Sequence, residues 1–326
     1  MSPSDIYGRK INYLRLSVTD RCNLRCTYCM PASGIKKRAH SDILSYEQLH
    51  RIAEAAVDIG VEKIRITGGE PLVRKGMPGF LAGLKRIPGL KKLVLTTNGV
   101  FLGSMAGELR DAGVESVNIS LDSLRPDVFS RITRRGDLSR VLEGIAAAEH
   151  AGFEHIKLNM VVMRGVNDAE VLDFAALTLD RPLKVRFIEY MPTLKERNWQ
   201  SFMVPGDELL SRLSKRYPLR KVTNDALDGP AVYYRIDGAA GTLGFITPIS
   251  SHFCQNCNRI RVTSSGTVKS CLFDDGKTSL KPYLDNGDDA GLRETLRQVA
   301  GMKPHRHMFM SREADNHSFT MSQIGG

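Results

Sequence analysis

Three of the six cysteines in this chain of 326 residues fall inside one short stretch, RCNLRCTYC, from Arg21 to Cys29. Cys22, Cys26 and Cys29 have the spacing C-x3-C-x2-C, with no fourth cysteine nearby. Three thiolates on a short loop can hold three irons of a [4Fe–4S] cluster and leave the fourth iron open to another ligand. Structural zinc would need a fourth ligand that the local sequence does not supply. The remaining cysteines, Cys254, Cys257 and Cys271, form a second triplet in HFCQNCNRIRVTSSGTVKSC. There zinc is a serious rival, because His252 could complete a Cys3His site, and spacing alone does not choose. A redox disulfide within either C-x2-C pair is a weaker option, since neither pair opens a helix in a thioredoxin-like setting.

The elements that must position these groups alternate from residue 11 to about 190. Strand patterns cover 11–19, 62–68, 91–97, 115–122, 155–162 and 183–190. Amphipathic helical patterns fill the gaps at 76–87, 101–112, 137–151 and 168–180. Another begins at a Ser45/Gln48 capping box and stops near Gly60. Six strands, each followed by a helix or crossover, predict a parallel sheet. The spacing favours an incomplete (β/α)6 barrel of the TIM type, and no glycine fingerprint follows the first strand to suggest a Rossmann fold. After about residue 205 the pattern changes to a helix (207–216), short strands and a helix near 289–300. We expect a partial barrel over 1–205 and a smaller α+β extension, packed on it and carrying the second triplet, over 206–326. The polar segment 302–326 carries His305, His307 and His317, read as solvated tail residues.

In a parallel barrel the outer strand face lies under helices and must be apolar. Leu14, Leu16 and Val18 then face outward, as do Ile64, Ile66, Val117, Ile119, Leu121, Ile156, Leu158, Met160, Val185 and Phe187. This turns Arg15, Ser17, Lys63, Arg65, Thr67, Asn118, Ser120, Lys157, Asn159, Lys184 and Arg186 inward. Buried unpaired cations are costly, and few acids alternate onto that face, so a ligand is the expected neutraliser. Converging Arg and Lys suit a di- or triphosphate. The blander alternative is that some of them sit at the rim and snorkel into water.

With 42% hydrophobic and 25% charged residues the chain reads as globular. No apolar run approaches a membrane span, and the first residues lack the apolar core of a signal peptide. A cytoplasmic protein is expected, where thiols stay reduced and serve as ligands. The net charge of +10 suggests an anionic partner. A single Trp and no aromatic-rich single-strand surface argue against nucleic acid.

CNLRCTYC resembles the CxxxCxxC signature of radical S-adenosylmethionine enzymes, and TGGEPL (67–72) resembles their GGE motif. RLSVTDRCNLRCTYCMP, IRITGGEPLVR, LTTNG, NISLDSL, IKLNMVV, RFIEYMP, FCQNCNRIRVTSSGTVKSCLF and the closing IGG resemble, in order, the GTP 3′,8-cyclase family of molybdenum-cofactor biosynthesis. The resemblance implies that Cys22, Cys26 and Cys29 hold a cluster whose open iron chelates S-adenosylmethionine. It implies that Cys254, Cys257 and Cys271 hold a second [4Fe–4S] cluster that binds guanine, which outweighs zinc. Tyr28, Gly69, Ser120 and Met191 match positions lining S-adenosylmethionine. Arg15, Arg65, Thr96, Lys157, Arg259 and Arg261 match GTP-binding positions, with Lys63 and Arg186 as further phosphate contacts. The Gly325-Gly326 end would reach into the active site. The implied reaction is cyclisation of GTP to (8S)-3′,8-cyclo-7,8-dihydroguanosine 5′-triphosphate, through 5′-deoxyadenosyl radical attack on the ribose 3′ hydrogen. A flavodoxin- or ferredoxin-type electron donor, a homodimer and a downstream cyclic pyranopterin monophosphate synthase are implied partners. The alternatives are another radical enzyme with an auxiliary cluster acting on peptide or RNA, or a non-catalytic zinc- or nucleotide-binding protein.

Overall fold

A computed structural model describes residues 3–35, 38–191, 198–223, 227, 229–274, 276–307 and 321. The first six strands and their crossovers follow the expected order: β1 (Tyr13–Ser17), α1 (Tyr46–Asp58), β2 (Lys63–Thr67), α2 (Met77–Lys85), β3 (Lys92–Thr97), α3 (Leu102–Asp111), β4 (Ser116–Ser120), α4 (Pro126–Thr133), α5 (Leu138–His150), β5 (His155–Val162), α6 (Val171–Asp180) and β6 (Lys184–Glu189). The later part comprises α7 (Gly206–Ser214), β7 (Leu219–Val222), β8 (Val232–Ile236), β9 (Thr242–Ile246), β10 (Arg259–Val262), β11 (Thr267–Lys269), β12 (Thr278–Ser279), α8 (Lys281–Asp285) and α9 (Asp289–Gly301). The Ser45/Gln48 capping box forms as expected and starts α1. Four elements lie outside the strand and helix patterns: α4, β7, β12 and α8. Each is eight residues or shorter, which leaves too few turns or alternations to show a period.

All twelve strands form one sheet in the order β12-β11-β10-β1-β2-β3-β4-β5-β6-β9-β8-β7. The extension is therefore more than a layer resting on the barrel. Its β9 pairs parallel with β6 and its β10 pairs parallel with β1, so it lengthens the barrel sheet at both edges. Eight parallel strands result where six were expected. The order is linear, with β12 and β7 at its ends, so the barrel stays incomplete.

The strand parity holds. Every residue assigned outward lies in the main apolar core, which the crossover helices cover. No helix among the described residues is long and apolar enough to cross a membrane.

Candidate active site

The inward face of the sheet lines one cavity of about 320 Å³, reached by residues of β1 to β6, β9 and β10. That is the size of a small-molecule site and too large for a packing defect. Both cysteine triplets line it. The strand register explains how: Cys22 follows the C-terminal end of β1, while Cys257 precedes the N-terminal end of β10. These two strands are parallel neighbours with Tyr13 opposite Arg259. The triplets therefore lie toward opposite ends of the strands.

Between them runs a row of cations. Arg15 of β1 stands opposite Arg65 of β2 on one side and Arg261 of β10 on the other. All three line the cavity, with Arg186 and Arg259. Burial, then the neighbouring Arg261, pulls the Arg15 guanidinium well below its ordinary pKa. Burial and Arg259 bring Arg261 down to about 10. Such crowding is unfavourable without an anion. The Nε atoms of Arg15, Arg65 and Arg186, Thr96 Oγ1 and Asn159 Oδ1 are buried with no hydrogen-bond partner among the described residues. A cavity lined by orphaned donors and crowded cations fits an anionic ligand.

Lys63 and Lys157 are buried but do not line this cavity. Lys63 sits one pleat before Arg65, with its ammonium 4.6 Å from the Tyr13 ring centroid and bonded to Leu227 O. Lys157 precedes cavity-lining Asn159 by one pleat, in register with Asn118 and Lys184.

The first cysteine loop is braced by its own backbone. Cys29 N and Met30 N donate to Cys26 O at 3.0 and 3.2 Å. Gly69 N and Glu70 N donate to Thr19 O and Arg21 O, which seats the Gly-Gly-Glu turn directly on the loop. A Cβ on Gly69 would stand 2.4 Å from Arg21 O, so only glycine fits there. We expect Gly69→Ala to lose iron from the first triplet and Gly79→Ala, in open space within α2, to keep it; iron analysis of the two variants is the check.

Glu70 accepts from Thr97 Oγ1 at 2.8 Å and Asn98 N at 2.6 Å, and burial lifts its pKa to about 7. Tyr28 donates its hydroxyl to Asp122 at 2.7 Å, and burial raises Asp122 to about 6. Gly69, Ser120 and Met191 also line the cavity.

At the second triplet, Arg259 Nη2 donates to Cys257 Sγ at 3.4 Å. Burial alone would raise the Cys257 thiol, but Arg259 and then Lys303 outweigh it and bring the pKa down to about 6. Burial pushes Cys22 up to about 12 and Cys26 well above its ordinary value. In metal-free protein at pH 7, Cys257 should thus be mostly thiolate and be alkylated well ahead of Cys22 and Cys26. Peptide mapping after brief iodoacetamide treatment checks the order.

Lys303 and His307 belong to the site although the polar stretch after α9 shows no period that would place them there. Lys303 donates to Arg259 O at 2.9 Å and Ser270 O at 2.5 Å, and it lines the cavity. His307 also lines the cavity and bonds through Nε2 to Pro248 O at 2.9 Å, so it is no solvated tail residue; His305 is exposed. The one signal in the sequence is the KPHRH cluster itself. Arg9 ties this segment to the second triplet, donating to Cys254 O at 2.7 Å and Pro304 O at 2.8 Å. His317, Gly325 and Gly326 lie outside the described residues.

His252 uses Nδ1 to bond Pro248 O at 3.0 Å. Among the described residues, no three His, Cys, Asp or Glu side chains are grouped so as to hold a single metal ion. The first triplet, three thiols on one loop beside a cavity, suits a cluster, which spreads its ligands over several irons.

Residues 16–178 match the family model of the radical SAM superfamily, and 183–309 match Molybdenum Cofactor Synthesis C. GTP 3′,8-cyclase of Geobacter sulfurreducens is 62% identical over 99% of both chains, and that of Moorella thermoacetica 45% over 99% of both. Among solved structures, Streptococcus suis SuiB bound to S-adenosylmethionine aligns with a TM-score of 0.59 at 16% identity. That alignment covers 88% of this chain and 67% of SuiB. Native anSMEcpe with bound AdoMet gives 0.55 at 19% identity, covering 86% and 82%. These two structures share the fold. The radical SAM match implies a [4Fe–4S] cluster and S-adenosylmethionine as cofactors. The matches across its whole length mean that the chain belongs to the radical SAM superfamily and, within it, to the GTP 3′,8-cyclases.

Proposed function

We propose that the chain cyclises GTP to (8S)-3′,8-cyclo-7,8-dihydroguanosine 5′-triphosphate, the first committed chemistry of molybdenum-cofactor biosynthesis. The observation that carries this reading is the single cavity with a cysteine triplet toward each end of the strands and a row of arginines between them.

Cys22, Cys26 and Cys29 would hold the first cluster, and Tyr28, Gly69, Ser120 and Met191 would line the S-adenosylmethionine site. Bound there, the pair supplies a 5′-deoxyadenosyl radical by one-electron reductive cleavage, with methionine as co-product. Cys254, Cys257 and Cys271 would hold a second [4Fe–4S] cluster that anchors the guanine base. Arg15, Arg65, Arg186 and Arg261 bind the triphosphate, with Thr96 and Arg259 as further contacts, while Lys63 and Lys157, which do not line the cavity, add only their charge. Guanidinium pairs with phosphate oxygens two at a time, so the row fixes the nucleotide's direction as well as its charge. Held this way, the ribose presents its 3′ hydrogen toward the first triplet, and C3′ closes on guanine C8. The protein contributes position and exclusion of water.

We also infer a cytoplasmic homodimer that takes electrons from a flavodoxin- or ferredoxin-type donor and passes its product to cyclic pyranopterin monophosphate synthase. The test is 5′-deoxyadenosine release by anaerobically reconstituted protein with S-adenosylmethionine and dithionite, iron and sulfide being counted on the same sample. A sharp rise with GTP, absent with ATP or RNA, is expected. Fully loaded protein that ignores GTP would overturn the substrate.

A further inference from the structure

We propose that the outer face of the first cysteine loop is the docking surface for a small acidic one-electron carrier protein. This rests on the reading above, in which each reductive cleavage consumes one electron: the carrier is oxidised by one electron and the first cluster is reduced by one.

Arg134 is the only described non-glycine residue with a positive φ, 62°, at the end of α4. A left-handed backbone is unfavourable for a residue with a Cβ, so tertiary contacts must hold it there. They do: its guanidinium donates to Arg25 O at 3.1 Å and Met30 O at 3.0 Å. Those carbonyls flank Cys26 and Cys29 on the chain. Arg25 N and Thr27 N donate in turn to Thr133 O and Ile132 O, which fastens the end of α4 to the loop. A surface arginine therefore reaches the backbone immediately beside two of the three thiols.

Arg134 has cationic company. Arg21, Arg131 and Arg135 are exposed and Arg25 is half-buried, all on the loop or the end of α4. None of these five arginines has an ion pair among the described residues. Elsewhere on the surface Arg51, Arg164, Arg181, Arg212 and Arg293 each pair with a carboxylate. The acids nearest in sequence are engaged elsewhere: Asp20 is buried and accepts from Arg38 N, and Asp137 caps α5 at Ser139 N. Five clustered like charges repel one another in the free protein and complement a partner of opposite sign, which speeds and orients encounter.

The position selects the kind of partner. The three thiols line the cavity, where cofactor and substrate would sit, while Arg21, Arg131, Arg134 and Arg135 are exposed to solvent. A carrier seated there is separated from Cys26 and Cys29 by little more than the loop backbone, and electron transfer falls steeply with distance. RNA, the other polyanion, would gain nothing from a place beside the thiols.

The test is the Arg131→Glu/Arg135→Glu variant, since neither side chain lines the cavity or bonds the loop. It is run beside a Lys215→Glu/Arg220→Glu control with the same charge change, placed just after α7 and on the edge strand β7. Binding of an acidic flavodoxin to the reconstituted enzyme is measured at low and moderate salt, and 5′-deoxyadenosine release is measured with reduced flavodoxin and, separately, with dithionite. For the patch variant we expect flavodoxin affinity and flavodoxin-driven release to fall about 10-fold or more, with a weaker salt dependence. Dithionite-driven release should stay within about 2-fold, and the control should match wild type. Unchanged flavodoxin binding, an equal loss in the control, or tight RNA binding that leaves flavodoxin binding unaffected would each overturn the assignment. So would a parallel loss with dithionite, in this variant or in Arg131→Gln/Arg135→Gln, because the arginines would then serve the loop itself. Wild type that releases nothing with dithionite and GTP would count against the cyclase reading and leave the binding result to judge the surface.

Discussion

Cys26→Ala is expected to abolish 5′-deoxyadenosine formation while leaving the metal-free fold intact. The loop does not depend on that side chain for its shape: Cys26 contributes its carbonyl to Cys29 N and Met30 N, and the loop is pinned to α4 through Arg25 N and Thr27 N. Burial holds the Cys26 thiol well above its ordinary pKa, so in the metal-free chain it is a small neutral group with no charge to lose. Removing it should cost about 1 kcal/mol or less in metal-free stability. The loaded protein is another matter, because two thiolates cannot hold three irons of a cluster. Under the two-cluster reading iron and sulfide should fall by half, and S-adenosylmethionine cleavage should drop to background. Thermal unfolding of the metal-free variant, iron analysis and a cleavage assay give the three readouts. Full iron content with GTP-dependent cleavage would remove Cys26 from the site.

Arg15→Met should move stability and binding in opposite directions. Arg15 stands between Arg65 and Arg261, its Nε has no partner among the described residues, and burial with Arg261 depresses its pKa strongly. Replacing a poorly compensated buried charge with an apolar side chain of similar length commonly stabilises by about 1–4 kcal/mol. The unfolding midpoint of the empty protein should rise by about 2 °C or more. The same change removes a phosphate partner, and losing one member of a buried charge pair costs about 2–5 kcal/mol, which is roughly 30-fold or more in GTP affinity. The sign of each effect matters. A variant that is less stable and binds GTP normally would make Arg15 a structural residue. Calorimetry on the empty protein and equilibrium GTP binding to the reconstituted protein separate these outcomes without measuring turnover.

Much of the barrel and of its site is legible in local residue patterns. The six barrel strands carry the period-2 alternation that burial on two faces imposes, so Leu14, Ile64 and Val185 are enough to turn Arg15, Arg65 and Arg186 inward. The first triplet shows its chemistry in its spacing, whereas spacing leaves the second open between zinc and a cluster. Local rules suffice where a pattern is completed within a single strand or loop.

Other features depend on segments distant in the chain. The incorporation of β9 and β10 into the barrel sheet requires partners dozens to hundreds of residues away, and nothing in TLGFI or RIRV announces which edge it will join. The same pairing decides that the second triplet faces the first across the cavity, since the register of Tyr13 with Arg259 sets Cys257 at the far end of the strands. Asp122 and Glu70 acquire raised pKa values only through burial by other elements, and Lys303, His307 and Arg9 gain their roles from carbonyls brought to them by folding. The donors, the barrel strands and the inward cations can be read along the chain, because periodicity and spacing are local. How β9 and β10 close one cavity around those cations emerges only on folding, because register between distant strands is set by packing.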